Sequence, residues 1–202
     1  MKKLVLAAMA AFTVAGAFGA ASATVIDFES LRMENNFAND VGTSYSEDGF
    51  TITQGFGEPF SFRSFGTDEF RFTGSTALYN NTVDGIITLT QDGGGAFGVT
   101  SIDLSELNGS ESADVVFTGL LQGGGSVMET FTLDAIFGIE TFLFSSDFDN
   151  ILSLSWVQSA GFHQFDNIVI ANAGEVPLPA ALPLFLTALA GFGAAARRKR
   201  SA

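Results

Sequence analysis

Six stretches of this chain alternate apolar or β-branched residues with polar ones at a period of two: Gly49–Gln54, Gly85–Gln91, Val99–Leu104, Asp114–Gly119, Met128–Leu133 and Ile151–Val157. Successive side chains of an extended strand point to opposite faces, so this period buries one face and wets the other. Glycine, asparagine, aspartate and serine fill the intervals, as turns between short strands require. The segments recur about every 10 to 15 residues, and no stretch sustains a helical period, which is the pattern of an antiparallel sandwich. The expected fold is all-β, an antiparallel β-sandwich of two packed sheets. Its 22 phenylalanines against two tyrosines and one tryptophan indicate aromatics that fill a core. Trp156 shares a strand face with Leu152 and Leu154, which places it inside. Cysteine is absent, so no disulfide can hold the sheets together.

Two glycine clusters need a reading. Gly93, Gly95 and Gly98 have the spacing of a dinucleotide fingerprint, but that motif works only where a strand gives way to a helix whose N-terminus meets the pyrophosphate. Here another strand follows, so the fingerprint is rejected. Gly93–Gly95 and Gly123–Gly125 both read as hairpin turns that supply positive φ between paired strands. Asp147, Asp149 and Asn150 lack the glycine and distal glutamate of a calcium loop and read as a turn.

The two ends have a different character. Lys2 and Lys3 precede an apolar run from Leu4 to Ala20, and Ala21-Ser22-Ala23 offers the small residues that signal peptidase accepts. Residues 1–23 are therefore expected to be a signal peptide, with cleavage after Ala23 leaving Thr24 first. At the other end no side chain from Val176 to Ala196 is charged. Those 21 positions span a hydrocarbon layer of roughly 30 Å at about 1.5 Å each. Arg197, Arg198, Lys199 and Arg200 would then face the cytoplasm. The order Val176-Pro177-Leu178-Pro179-Ala180, apolar helix over 180–196, basic tail over 197–200 resembles the VPLPA variant of the PEP-CTERM sorting signals. In that family glutamate more often stands where this chain has Leu178. The resemblance covers residues 175–202. It implies a substrate of an exosortase-type transpeptidase, held in the membrane by a transient C-terminal helix and delivered to the surface or exterior of a Gram-negative bacterium.

Between these ends lies one domain, residues 24–174. Only Arg32, Arg63 and Arg71 of the nine basic residues fall within it, against all 22 acids, so its balance is −19 where the whole chain has −13. A phosphate-binding surface needs clustered cations, which excludes nucleic acid as a partner. Divalent cations and neutral sugars are compatible.

The beginning and end of the domain carry the residues with chemical content: Ile26-Asp27-Phe28-Glu29 and Phe165-Asp166-Asn167-Ile168-Val169-Ile170. This pairing resembles the jelly-roll modules of the galactose-binding-like and carbohydrate-binding superfamily. What the resemblance implies is a structural calcium ion held by Glu29 and Asp166, with Asp27 and Asn167 as weaker ligands. Calcium takes six to eight oxygen ligands; the alternative is that these acids are ordinary strand residues facing solvent. A sugar-binding surface usually stacks tryptophan or tyrosine on the ring, and Tyr45 and Tyr79, both beside turn-rich segments, are the candidates. No catalytic residue is identified. There is no thiol and no Gly-x-Ser-x-Gly elbow, and the single histidine, His163, reads as a polar-face strand residue alternating with Phe162. The function these features point to is that of an exported, non-catalytic surface or matrix protein associated with extracellular polysaccharide. A carbohydrate-binding module with a structural calcium and a carboxylate-dependent glycan hydrolase or lyase remain alternatives. Mass spectrometry of the protein recovered from its native host is expected to find a chain that begins at Thr24 and has lost Arg197–Arg200. Recovery with Met1 and Arg200 in place refutes both end assignments.

Overall fold

The computed structural model describes residues 23–56, 61–107, 112–158 and 161–171. The signal segment with Ala21, the motif Val176–Ala180, the apolar run over 180–196 and the tail Arg197–Arg200 lie outside the described residues, whereas Ala23 is described and exposed. Among the described residues no helix is long and apolar enough to cross a membrane.

The described chain forms thirteen strands: β1 Thr24–Ile26, β2 Ala38–Gly42, β3 Ser44–Glu47, β4 Phe50–Gln54, β5 Phe62–Phe65, β6 Leu78–Asn80, β7 Ile86–Gln91, β8 Gly98–Glu106, β9 Asp114–Leu121, β10 Ser126–Thr132, β11 Glu140–Leu143, β12 Ile151–Val157 and β13 His163–Ala171. One sheet has the order β11-β8-β13-β6-β5-β2, with β1 also paired to β13, and the other has the order β10-β9-β12-β7-β4-β3. Every pairing is antiparallel. The chain passes from one sheet to the other at most of its connections, which wraps it into a jelly-roll-like sandwich. The six alternating segments coincide with β4, β7, β8, β9, β10 and β12.

The two glycine clusters turn out to do different things. Gly123–Gly125 closes a true hairpin: β9 pairs with β10, Leu121 N–H bonds the Gly125 carbonyl, and Gly124 and Gly125 have φ of 89° and 85°. Gly93–Gly95 joins β7 of one sheet to β8 of the other, so it is a crossover and not a hairpin. Positive φ at Gly93 and Gly94 turns the chain across the edge of the sandwich. Ser146–Phe148 form a short 3-10 helix capped by Asp149, and the chain turns there as expected.

Phenylalanine fills the space between the sheets. Phe165 on β13 is the centre of this packing, with ring centroids 5.0 Å from Trp156 on β12, 5.7 Å from Phe28 after β1 and 6.1 Å from Phe62 on β5, all edge to face. Phe117 on β9 continues the contact from Trp156 to Phe131 and Phe144. Quadrupole-matched pairs of this kind add to the burial of their area. Phe165 therefore ties both sheets and the first strand together. Phe165→Ala is expected to cost about 3–5 kcal/mol of stability, read by chemical denaturation followed through the fluorescence of Trp156. A loss below about 1 kcal/mol would show that the hub is not a stabilising centre.

Candidate functional site

The junction of the chain's first and last strands gathers the polar residues. β1 pairs with β13 over Thr24–Ile26 and Ile168–Ile170, and β6 pairs with the same edge of β13 at Phe165. Between these two partners β13 slips register after Asp166, and Asn167 takes a left-handed φ of 44°. β1 ends in a matching way, since Phe28 has φ 55° and Glu29 opens a 3-10 turn. Phe28 and Phe165 face the core while the carboxylates of Glu29 and Asp166 point to the other side of the sheet.

Outward does not mean exposed here. The segment from Gly66 to Thr76 lies over this part of the sheet, and position 66 is glycine because a Cβ there would collide with Asn35. The Gln164 side-chain amide donates to the Arg71 carbonyl at 3.1 Å. Glu29 Oε1 accepts from the Thr76 N–H at 2.7 Å and from the Ser75 hydroxyl at 3.0 Å. Asp166 accepts from the Asn167 N–H at 2.7 Å, and the Asn167 side-chain amide bridges to Asp103 at 2.9 Å. Asp166 is 0% exposed, and among the described residues it pairs with no cation. Burial above all, with the Asp103 and Glu29 charges adding, pushes its carboxyl up to about 7 against the pull of Ser75 and the Asn167 N–H. Burial also opposes the charge on Glu29, but Thr76, Ser75 and Arg32 outweigh it and hold that carboxyl below its ordinary value.

The donor set here is all oxygen and suits a hard cation. Glu29 and Asp166 would supply two carboxylates, and the Thr76 hydroxyl oxygen is buried without a hydrogen-bond partner. No three His, Cys, Asp or Glu side chains among the described residues are spaced to hold a metal, so hydroxyl and main-chain carbonyl oxygens would have to complete the shell. Calcium accepts such a mixed shell, and a transition metal favours nitrogen or sulfur. Asp27, expected as a weaker ligand, closes a turn on the Glu29 N–H at 3.0 Å and makes no bond to Asp166. Asn167 offers its amide N–H to both Asp103 and Asp166.

The tyrosine expectations need correction. Tyr79 is 5% exposed because Phe65 stacks on it at 4.9 Å, so its ring presents no open face. Tyr45 is half-buried against Phe28, and its hydroxyl meets that of Ser30 at 2.7 Å. Several phenylalanines are open instead, Phe37 and Phe56 among them, and the most exposed is Phe70, which no pattern in the sequence marks. Tyr79, Phe65, the Arg71 guanidinium and Phe70 form a column, with Arg71 4.3 Å from the Phe65 ring and 4.8 Å from the Phe70 ring. Glu69 holds Arg71 at 2.8 Å. Phe70 tops the column and is 81% exposed.

His163 also departs from expectation. It is fully buried on the inward face, one strand step from Phe165, and its Nδ1 lies 3.3 Å from the Gln158 amide nitrogen. Phe162, with a left-handed φ of 46°, turns to the opposite face and packs on Phe65, Tyr79 and Leu107.

No family model matches this chain, and no curated protein matches it. Solved structures with a similar fold include a variant of a family 29 carbohydrate-binding module complexed with mannohexaose, 16% identical over 80% of this chain and 100% of that one, TM-score 0.45. A second family 29 variant is 16% identical over 80% of this chain and 94% of that one, TM-score 0.44. The CBM22-1 and GH10 modules of a Clostridium thermocellum xylanase, complexed with xylohexaose, are 15% identical over 75% of this chain and 28% of that one, TM-score 0.40. Likeness at this level says nothing about what this chain binds.

Burial lowers His163 from 6.5 to about 4. A base whose folded value is depressed destabilises the fold as it is forced to protonate, so its contribution is intact above 6.5 and is lost as pH falls toward 4. Asp166, raised from 3.8 to about 7, works in the opposite direction over the same range in metal-free protein. The His163 contribution is therefore isolated by comparing the parent with His163→Gln. The stability difference between the two is expected to shift against the parent by about 3 kcal/mol from pH 7 to pH 4, measured by urea denaturation in chelator. A difference that stays constant with pH would place a charged His163 in the folded state.

Proposed function

We propose that this chain is an exported, non-catalytic carbohydrate-binding module whose closing strands are latched by a structural calcium, and which the exosortase-type sorting signal carries to the cell surface or polysaccharide matrix. The observation that carries the reading is the segment Gly66–Thr76. Its far end rests on the Glu29 and Asp166 carboxylates, and its middle lifts the Phe70 ring into solvent on a column of Arg71, Phe65 and Tyr79. An exposed ring on a fixed base suits the apolar face of a sugar, and a preorganised ring loses little entropy on binding. Calcium between Glu29 and Asp166 would neutralise two desolvated acids and fix the segment that presents the ring.

A glycan hydrolase or lyase reading has one observation in its favour, since neighbouring carboxyls with values driven apart are the usual acid and base pair. Asp166 is nevertheless sealed from solvent, and a general acid must reach the bond it protonates. The non-catalytic reading is the better supported.

Millimolar calcium is expected to raise the melting temperature relative to chelator, equivalent to about 2.7 kcal/mol at a hundredfold excess over Kd, and Asp166→Asn is expected to remove the rise. In affinity electrophoresis through gels containing neutral polysaccharide, Phe70→Ala is expected to weaken retardation about tenfold with melting unchanged. No calcium shift removes the latch; equal retardation of parent and Phe70→Ala removes the ring as the binding group.

A further inference from the structure

Two rows of hydroxyl groups cross the outer face of the six-stranded sheet, with no charged side chain in either row. Strand register sets Ser44, Thr53, Thr88, Ser155 and Thr118 side by side across β3, β4, β7, β12 and β9. A second row sets Ser46, Thr51, Thr90 and Ser153 across β3, β4, β7 and β12. The residues between the rows, Tyr45, Ile52, Leu89 and Leu154, pack into or against the core, so all nine hydroxyls face outward. Neighbours are about 4.8 Å apart across the strands and about 6.8 Å apart along them. Exposed Ile86, Val157, Val116, Leu120 and Met128 frame the array.

This surface belongs to a domain with a balance of −19, yet the acids of its strands lie off the two rows: Asp114, on the same face at the start of β9, accepts from the Thr132 hydroxyl at 2.6 Å. Glu47 on β3 accepts from the Asp27 and Phe28 N–H groups, and Glu129 on β10 accepts from the Ser145 N–H. At the margin Asp92 accepts from the Thr51 hydroxyl at 2.7 Å, and Thr51 meets Ser46 at 2.8 Å. Among the described residues the side-chain hydroxyls of Thr53, Thr88 and Thr118 make no bond to protein and are left to a ligand or water.

We infer that this face is a second binding surface, for an uncharged polysaccharide chain lying across the strands. Each serine or threonine hydroxyl both donates and accepts, as does each sugar hydroxyl, and the threonine methyls with the framing side chains meet the apolar sugar faces. A polyanion would find no cation here and the repulsion of the whole domain. The surface lies on the opposite side of the sandwich from Phe70, so it stands or falls separately from the ring proposed above.

The test uses the chain from Thr24 onward, cosedimented with insoluble β-glucan particles and, in parallel, with alginate beads. Thr88→Glu with Thr118→Glu places charge in the first row, and Thr88→Val with Thr118→Val removes hydroxyls while keeping shape. The expected result is retention on the glucan, at least about tenfold weaker in both double variants, with melting temperatures unchanged and Phe70→Ala still retaining this contact. The inference is overturned if the variants sediment like the parent or if neither parent nor Phe70→Ala binds glucan. Preferential retention on alginate also overturns it, as does loss in the variants of self-association instead of glucan binding, because that makes a second copy the occupant.

Discussion

A carboxylate withdrawn from water has to be compensated, and the environment of Asp166 organises the closing end of this molecule. The group lies on the outward side of β13, yet Gly66–Thr76 covers it and its near neighbours Glu29 and Asp103 are themselves acids. Burial of a lone ion costs several kcal/mol after relaxation, and the cost falls when the group takes up a proton or gains a counterion. Every local feature serves that balance: the register slip at β13, the left-handed Asn167 that turns its amide N–H toward Asp166, and the Ser75 hydroxyl between the carboxylates. A cation at this point would join the first strand, the last strand and the covering segment, which is the reinforcement a cysteine-free fold cannot obtain from disulfides.

The aromatic groups divide by position in the same way. Inside the sandwich, phenylalanines meet edge to face around Phe165 and need no polar partner. Outside, the ring stack of Tyr79 and Phe65 is capped by the Arg71 guanidinium, and Glu69 keeps that guanidinium in place. Arg71 covers a ring and neutralises an almost buried acid together, so losing it would expose the ring and strand Glu69 in a dry place. Phe70 owes its position above the sheet to this arrangement, and its exposure is a product of the column beneath it.

Strands with both a buried and a wet face were legible in the sequence, because alternation over five or more residues is a local property. β3, β5, β6 and β11 were not, since each is only three or four residues long and is fixed by its neighbours' hydrogen bonds; nor was β2, whose Ala38-Asn39-Asp40-Val41-Gly42 does not alternate. The glycine clusters show the limit clearly. Gly93–Gly95 and Gly123–Gly125 look alike, but whether a turn closes a hairpin or crosses between sheets depends on pairings made elsewhere in the chain. His163 was misread because Phe162 was taken to face the core, whereas Phe165 does and His163 shares its side of the strand, while Phe162 packs on the outer cluster. Tyr79 was misread because the ring that covers it, Phe65, is brought onto it by the pairing of β5 with β6, which no local pattern shows. Glu29 and Asp166 were paired through the resemblance to jelly-roll modules, but the Ser75 hydroxyl and the Thr76 N–H that Glu29 accepts from were not foreseen, because no local pattern marks a covering loop.

The pairing of β1 with β13 has a mechanical consequence. Thr24 lies opposite Ile170 and the strands run antiparallel, so polypeptide joined before and after the domain departs from the same corner. Tension applied through those attachments peels β1 from β13 one rung at a time, the weak unzipping direction, instead of shearing all rungs together. After three rungs the tear arrives at Glu29 and Asp166. A proton or an ion at that point would then decide how readily the tear continues.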